Sequence, residues 1–401
     1  MQVLPHENNK HLLPEQTTFK VVMDTPEKIL ENDSMSNLFD YLTWRNDLTF
    51  SKVPCCAVDT LICSCLSYLR LQPVFAKQDM LYVKRASEII RAINPEEIHF
   101  RVKEDLQLLH KMAEGNRYGN VILCGYVDHL DPSMEKQFYA LTCLLEDDVM
   151  LITYRGTDNT LVGWKEDFNM TFLDTIPSQK EAVQYLETMA IAYPDRRIIL
   201  CGHSKGGNLA VYAAAFCSFA IQNRIQRVYN HDGPGFSAET LQAAGYRSIA
   251  QRIETFVPQS SVVGMLMEHE EHYTVISSTQ ISLWQHDPYS WEVLGPDFVR
   301  LDALDRQSIV LDSTIKHWIS ELDRSQREAF TDAVFQILSN TNAASFKEMN
   351  ENRMHSTALI LKALNRTDKQ TKKMLSDIIL KLLSSAKSAI ETNLENGKPT
   401  N

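Results

Sequence analysis

The chain has 401 residues, of which 44% are hydrophobic and 23% are charged, and its formal net charge is -11. This composition is typical of a globular protein with enough apolar material for a sizeable core. The negative charge excludes nucleic acid as a general partner and argues against docking on anionic lipid, because an acidic surface repels phosphate groups.

The sequence contains no signal for export or for membrane insertion. Its first residues lack the basic segment and the apolar segment of a signal peptide. No apolar run approaches the roughly 18 residues that a membrane span needs. We therefore expect a cytoplasmic protein without stable membrane insertion.

The N-terminal part is predicted to be an arm followed by helices. Residues 1–35 are polar and contain three prolines, which is typical of a loosely held arm. Residues 38–44 predict a short helix that Ser34 or Ser36 would cap. A further helix is predicted near 103–114.

A cluster of four cysteines lies in the N-terminal part, and four more are scattered along the chain. Without an export signal, free thiols are the better interpretation of the eight. The cluster lacks the C-x-x-C spacing of a zinc knuckle and has no histidine nearby. Apolar residues of 58–71 fall on one helical face, so we expect a buried helix there and no metal site.

From Tyr118 onward, short apolar runs alternate with amphipathic ones. Strands are predicted at 121–127, 138–145, 149–154, 197–201, 227–230 and 252–257, with helices at 179–193 and 208–220. Alternating strands and helices indicate an α/β fold in which a largely parallel sheet is covered on both faces.

The pattern changes again near residue 303, after which helical periodicity dominates. We therefore expect three parts: a polar arm at 1–35, an α/β domain at 36–302 and a helical C-terminal region at 303–401.

The central motif is Gly202-His203-Ser204-Lys205-Gly206, with a predicted strand before it and a helix after it. The G-x-S-x-G pattern in this context indicates a nucleophile elbow, a strained turn that raises a serine hydroxyl at a helix N-terminus. The alternative is a glycine-rich turn that only packs a helix on a strand. The sequence therefore predicts Ser204 as the nucleophile of a serine hydrolase.

A second motif, Arg155-Gly156-Thr157, ends a predicted strand upstream. In a hydrolase of this type, one oxyanion N–H comes from the residue after the nucleophile and another from a loop after an early strand. We expect these to be the N–H groups of Lys205 and Thr157. The alternative is an ordinary turn in which Arg155 pairs with Asp158 or Asp167.

Together these motifs resemble a known family. R-G-T followed by Trp164 and Asp167, then G-H-S-x-G-G, resembles the class 3, fungal-type triacylglycerol lipases. A bacterial family of lipase-like hydrolases is more closely similar. It shares D-x-L-x-x-x-x-L-S-Y-L at 59–69, the elbow at 202–210 and the segments 232–236, 257–266 and 285–291.

The resemblance covers roughly residues 36–340. It implies an α/β-hydrolase fold with a mostly parallel central sheet, a helical N-terminal segment and a helical C-terminal extension.

A serine needs a base, and the base in this fold follows the nucleophile in the chain. His286 matches the Q-H-D-P segment of the similar family and precedes Pro288 in a turn, so we predict His286 as the base. The alternatives are that His286 only stabilises a turn, or that His231 near a strand end takes the role.

The carboxylate that would orient the base is not where the class 3 lipases have it. Class 3 lipases carry an aspartate after the strand that matches 252–257, whereas this chain has Pro258-Gln259-Ser260-Ser261 there. Asp232, after the preceding strand, is our candidate. It could equally fix its own Gly-Pro turn, and Ser260 or Ser261 could orient the histidine instead.

The interval 159–173 corresponds to the lid of class 3 lipases, although packing of its aromatic residues into the core is an alternative. The sequence predicts cleavage of a carboxylic ester, with an acyl substrate that includes lipids, and no metal or organic cofactor. The competing hypotheses are a peptidase or amidase on the same fold, or a degenerate hydrolase that binds a ligand. Catalysis requires His286 to lie within hydrogen-bond reach of both Ser204 and a carboxylate, whereas a second ring nitrogen that faces only Ser260, Ser261 or solvent would favour ligand binding.

Overall fold

The computed structural model describes residues 36–158, 160–305, 314, 317–319, 321–340 and 353–380. The predicted arm at 1–35 lies outside the described residues. Within the described part, no helix combines the length and apolarity that crossing a bilayer requires.

A nine-stranded sheet organises the chain, in the order β1-β2-β3-β4-β5-β6-β7-β8-β11. Strands β4 to β8 run parallel to one another, and the outer pairs are antiparallel. The strands of this sheet are β1 (Met80–Tyr82), β2 (Ile122–Asp131), β3 (Lys136–Leu144), β4 (Val149–Tyr154), β5 (Arg197–His203), β6 (Ile225–His231), β7 (Ile253–Pro258), β8 (Tyr273–Ile276) and β11 (Arg300–Leu301). A separate hairpin pairs β9 (Val293–Leu294) with β10 (Asp297–Phe298).

The parallel centre agrees with the sequence-based prediction, and the antiparallel edge adds to it. Strands β2, β3 and β4 follow one another through connections of only four residues, at 132–135 and 145–148. Connections this short allow only antiparallel pairing, because a parallel crossover needs a dozen residues or more.

Helices cover both faces of the sheet and continue beyond it. They are α1 (Leu38–Arg45), α2 (Ala57–Leu66), α3 (Gln72–Phe75), α4 (Val83–Arg91), α5 (Lys103–Glu114), α6 (Asn116–Gly119), α7 (Leu161–Asn169), α8 (Pro177–Ala192), α9 (Lys205–Phe216), α10 (Phe219–Gln222), α11 (Ala238–Gln242), α12 (Ala244–Ile249), α13 (Arg324–Ser339) and α14 (Arg353–Arg366). Residues 369–380 are also helical.

Two hydrophobic clusters lie on opposite faces of the sheet. Leu151 and Ile199 point into the cluster that α2 and α5 close, whereas their neighbours Ile152 and Leu200 point into the cluster that α8 and α9 close. This alternation is the two-residue period of a strand, and it explains why the central strands are apolar on both faces.

The cap of α1 differs from the prediction. Asn37 is the N-cap, not Ser34 or Ser36. Its Oδ1 accepts from the Phe39 N–H at 2.8 Å, and the Asp40 carboxylate accepts from the Asn37 N–H at 2.9 Å. Asp40 lies three residues after Asn37 and so completes this reciprocal pair of bonds, whereas the residue three positions after Ser36 is Phe39, whose side chain accepts no hydrogen bond.

Helix α2 is the buried helix that the cysteine-rich segment predicts. All ten of its residues are buried, and all eight cysteines of the chain are free thiols. Among the described residues, no group of three or more His, Cys, Asp or Glu side chains is arranged to hold a metal ion.

A buried ion pair joins α2 to α6. Arg117 donates through Nε to Asp59 at 2.8 Å, and both side chains are fully buried. The hydroxyls of Tyr41 and Tyr118 also donate to Asp59, at 2.9 and 2.5 Å. Burial alone would raise the pKa of Asp59, but the bonds from Arg117 and Tyr118 outweigh it and hold this pKa below its ordinary value.

The substitution Asp59→Asn is expected to lower the free energy of unfolding by about 3–5 kcal/mol, because it leaves the Arg117 guanidinium buried without a counter-charge. Chemical denaturation at pH 7 measures this loss. Asp79→Asn makes the same chemical change at an exposed carboxylate and should cost almost nothing. Equal stability of the two variants would contradict the prediction.

Candidate active site

Ser204 occupies the sharp turn between β5 and α9. Its backbone angles are φ 59° and ψ -135°, a conformation that costs a non-glycine residue energy. A Cβ atom on Gly202 would lie 2.1 Å from the Gly206 carbonyl, and one on Gly206 would lie 2.1 Å from the Tyr154 carbonyl oxygen. Both glycines of G-x-S-x-G are therefore required by close backbone approach.

His286 and Asp232, the predicted base and acid, lie side by side. The Nδ1 atom of His286 is 2.6 Å from Oδ2 of Asp232. The Asp232 side chain is fully buried, whereas 27% of the His286 side chain is exposed. The His286 ring thus contacts a buried carboxylate through Nδ1, while another part of its side chain is accessible to solvent.

The other carboxylate oxygen of Asp232 is also bonded. Ser261 donates to Oδ1 of Asp232 at 2.5 Å, so this serine contacts the predicted acid. The Gly-Pro turn after Asp232 is held by a different side chain, since Asn230 Oδ1 accepts from the Gly233 N–H at 2.9 Å. The Asp232 carboxylate faces His286 and Ser261 and takes no part in that turn.

Sheet register explains how Asp232 reaches a position that the lipase pattern fills from the next strand. Strands β6 and β7 are adjacent and parallel, so their carboxyl ends share one edge of the sheet. The Asp232 N–H donates to the Phe256 carbonyl at 2.8 Å, and Asp232 adopts a positive φ of 54°. This turn places its side chain beside the segment that follows β7.

His203, the residue before Ser204, holds the backbone of His286. Its Nε2 lies 2.8 Å from the His286 carbonyl, and its Nδ1 lies 2.8 Å from the Tyr68 hydroxyl. The two histidine rings also face each other, with centroids 4.5 Å apart. Since a carbonyl only accepts, Nε2 of His203 donates and Nδ1 accepts from Tyr68.

Burial, with a smaller contribution from His286, holds the pKa of His203 well below its ordinary value, so this ring stays neutral. Neither His203 nor Tyr68 was predicted from the sequence to support the base. Their presence in the G-H-S and L-S-Y-L motifs is the signal that could have identified them.

Among the described residues, the Ser204 hydroxyl has no hydrogen-bond partner. Its side chain is also largely covered, with 8% of the residue exposed. Nucleophile–base hydrogen bonds in unliganded hydrolases are often long and shorten when substrate binds.

The N–H groups of Thr157 and Lys205, the predicted oxyanion donors, have no acceptor within the described part of the chain. The loop that carries Thr157 lies against the elbow, since a Cβ atom on Gly156 would lie 2.9 Å from Cβ of Ser204. Unpaired donors next to a serine at a helix N-terminus are suited to a developing negative charge.

The Arg155 side chain forms the structural ion pairs that the alternative interpretation describes. It lies 3.3 Å from Asp128 and 3.7 Å from Asp158. Asp167 takes a different partner, because the Thr157 hydroxyl donates to its carboxylate at 2.6 Å. Arg155 therefore stabilises the loop, and Asp167 orients the Thr157 side chain.

The Lys205 side chain turns away from solvent and pairs with Glu166. Nζ of Lys205 lies 2.8 Å from Oε2 of Glu166, and both side chains are almost wholly inaccessible. Nζ also donates to the Gln137 carbonyl at 3.0 Å. This pair was not predicted from the sequence, because Glu166 is one of several charged residues in its segment.

A small cavity lies beside α9, the helix that follows Ser204. Asn208, one helical turn after Ser204, forms part of its wall. Its apolar lining consists of Met170, Leu173, Phe236 and Met267. Outside this cavity, Trp284 is 73% exposed, two residues before His286.

These features define the class of protein: an α/β-hydrolase fold of the lipase-like type, with a strained serine turn between a central parallel strand and a helix. The sequence model of the Mbeg1-like family matches residues 112–336. Since this is more than half of the chain, the protein belongs to the Mbeg1-like family, a lipase-like family. No curated protein matches the sequence.

Solved lipase structures share only a distant likeness with the chain. The Rhizomucor miehei lipase in its propeptide complex is 14% identical, with a TM-score of 0.35 over 63% of this chain and 70% of the lipase. A mutant form of MDLA from Penicillium cyclopium is 13% identical, with a TM-score of 0.37 over 60% of this chain and 83% of its own. The fold assignment rests on the strand order and the elbow described above.

Asp167 supplies a pH-dependent property of this site. Burial raises its pKa to about 6, although Lys205 and the Thr157 hydroxyl act in the opposite direction. The folded protein therefore holds this proton at pH values where the unfolded chain has released it. As a result, Asp167 lowers stability as the pH rises from about 4 to 6.

We expect Asp167→Asn to remove this loss, because an amide does not ionise. The difference in the free energy of unfolding between the variant and the wild type should shift by about 1–2 kcal/mol in favour of the variant when the pH rises from 4 to 7.5. Denaturant melts of both proteins at the two pH values measure the difference. Asp79→Asn is the control at an exposed carboxylate, and a pH-independent difference for Asp167→Asn would contradict the prediction.

Proposed function

We propose that the protein is a serine hydrolase that cleaves a carboxylic ester through an acyl-enzyme on Ser204. The observation that carries this proposal is the contact between Nδ1 of His286 and the buried Asp232 carboxylate, next to a strained serine at a helix N-terminus. In serine hydrolases, a buried carboxylate at Nδ1 holds the histidine in the orientation and tautomer that catalysis needs.

Each group has a role that its position supports. His286 takes the proton from the Ser204 hydroxyl as the oxygen attacks the ester carbonyl carbon. The resulting oxyanion accepts hydrogen bonds from the Thr157 and Lys205 N–H groups. Asp232 accepts from Nδ1 of His286 and stabilises the imidazolium that forms.

Collapse of this intermediate expels the alcohol, which receives the proton from His286 and leaves an acyl group on Ser204. A water molecule then repeats the sequence with His286 again as base. The products are the free acid and the regenerated serine, so no metal or organic cofactor enters the scheme.

Labelling with a fluorophosphonate probe tests the nucleophile. We expect covalent modification at Ser204, found by mass mapping of the labelled peptide, and none in Ser204→Ala. Ser218→Ala is the control, because Ser218 is exposed beyond the far end of α9. Well-folded protein that does not react with the probe would overturn the proposal.

The acid and the base are tested by turnover of a p-nitrophenyl ester. Asp232→Asn should lower kcat by about 10⁴-fold, since an amide favours the wrong histidine tautomer, and His286→Ala should cost at least as much. KM should change little, because neither side chain is placed to bind the ground state. Wild-type turnover in Asp232→Asn would assign the acid to another group.

A further inference from the structure

Helix α7 occupies the interval in which class 3 lipases carry a lid, and its inner side is built into the active site. The Glu166 carboxylate is fully buried, where it pairs with Lys205 and accepts the N–H groups of Gln137 and Ser178 at 3.0 and 3.1 Å. The neighbouring Asp167 accepts from the Thr157 hydroxyl. Helix α7 is therefore bonded to both residues that supply the proposed oxyanion donors.

Moving α7 away would separate a buried charge pair. Each partner would then be left without its counter-charge or would have to be hydrated at once, and breaking such pairs is strongly unfavourable. The same motion would release the Lys205 side chain and the Thr157 hydroxyl beside the oxyanion donors. A cover that opens for substrate should not carry such bonds, because opening it would disturb the catalytic machinery.

The outer side of α7 is held by α13 of the C-terminal region. Lys165 Nζ lies 2.6 Å from Glu135 and 2.8 Å from Asp332 of α13. The rings of Phe168 and Phe335 meet edge to face, with centroids 5.7 Å apart.

The turn after α7 is held by the same helix. Arg327 donates to the Thr171 carbonyl, and Arg324 lies 3.3 Å from Asp174. Helix α7 thus lies between the active site and the C-terminal helix, with polar contacts on both sides.

We infer that α7 is a fixed wall of the active site and that the substrate is a water-soluble carboxylic ester taken up as a single dissolved molecule. The inference rests on the proposed function and narrows its substrate class. With α7 held in place, the substrate must use the opening that already exposes 27% of the His286 side chain. The net charge of -11 also disfavours an anionic lipid surface as the place of reaction.

The first experiment follows the rate with rising concentration of tributyrin, through the point at which droplets form. We expect the rate to saturate while the ester is still dissolved and to show no increase when droplets appear. A rise of about tenfold or more at that point would overturn the inference, because it would mean that a lipid surface activates the enzyme.

A cross-link between α7 and α13 tests the wall directly. Lys165 and Asp332 are partly exposed, and neither contacts the catalytic groups, so Lys165→Cys with Asp332→Cys can be joined by a short bis-maleimide and checked by intact mass. The cross-linked protein should hydrolyse p-nitrophenyl butyrate within about twofold of the unlinked double variant, because a fixed helix loses nothing when it is tied. Wild type treated with the same reagent controls for Cys55 and Cys56, which are half-buried.

A loss of about tenfold or more on cross-linking, with recovery of activity in the unlinked variant, would show that α7 has to move and would overturn the inference. Fluorophosphonate labelling distinguishes this failure from failure of the proposed function. If the proposed function is wrong, Ser204 stays unlabelled in the wild type as well as in the cross-linked protein. If only the fixed wall is wrong, the wild type is labelled at Ser204.

Discussion

The backbone turn at Ser204 is the constraint on which the rest of the site depends. A serine with a φ of 59° is stable only if the surrounding chain compensates for the strain, and here three backbone segments meet at the turn. Gly202 and Gly206 allow that approach, since a side chain on either would overlap main-chain atoms at 2.1 Å. From this turn follow the position of Ser204 at the N-terminus of α9 and the unpaired N–H of Lys205.

Three carboxylates surround this turn, and the structure gives each a different environment. Asp232 accepts from Ser261 and faces His286, Glu166 is neutralised by the Lys205 ammonium, and Asp167 accepts from the Thr157 hydroxyl. Burial raises the pKa of Asp167, because it outweighs the effect of Lys205 and the Thr157 hydroxyl. Negative charge close to an oxyanion opposes catalysis. The bonds from Lys205 to Glu166 and from Thr157 to Asp167 therefore limit the effect of these two carboxylates on the developing charge.

The N-terminal helices support the site from the face of the sheet opposite to α8 and α9. Asp59 holds α2 through Arg117, and Tyr68, just after α2, donates to His203 beside the nucleophile. His203 in turn donates to the His286 carbonyl. Asp59 and Tyr68, both in the D-x-L-x-x-x-x-L-S-Y-L segment, thus connect the N-terminal helices to the loop that carries the predicted base.

The sequence by itself determined the local features of this protein. The apolar strand before Gly202, the small residues after Ser204 and the two-residue period of the central strands are properties of neighbouring residues, so β5, the elbow and α9 could be predicted. The motifs also nominated His286 and Asp232, and short connections could have shown that β2, β3 and β4 are antiparallel.

Only the tertiary structure decided which side chains meet. It chose Asp232 as the carboxylate beside His286, 54 positions away, and Glu166 as the partner of Lys205, 39 positions away. It also bonded α7 on both sides, in an interval for which the sequence left a lid and core packing as alternatives. Such contacts depend on strand register and on the paths of loops between distant segments, and no local pattern of residues encodes either one.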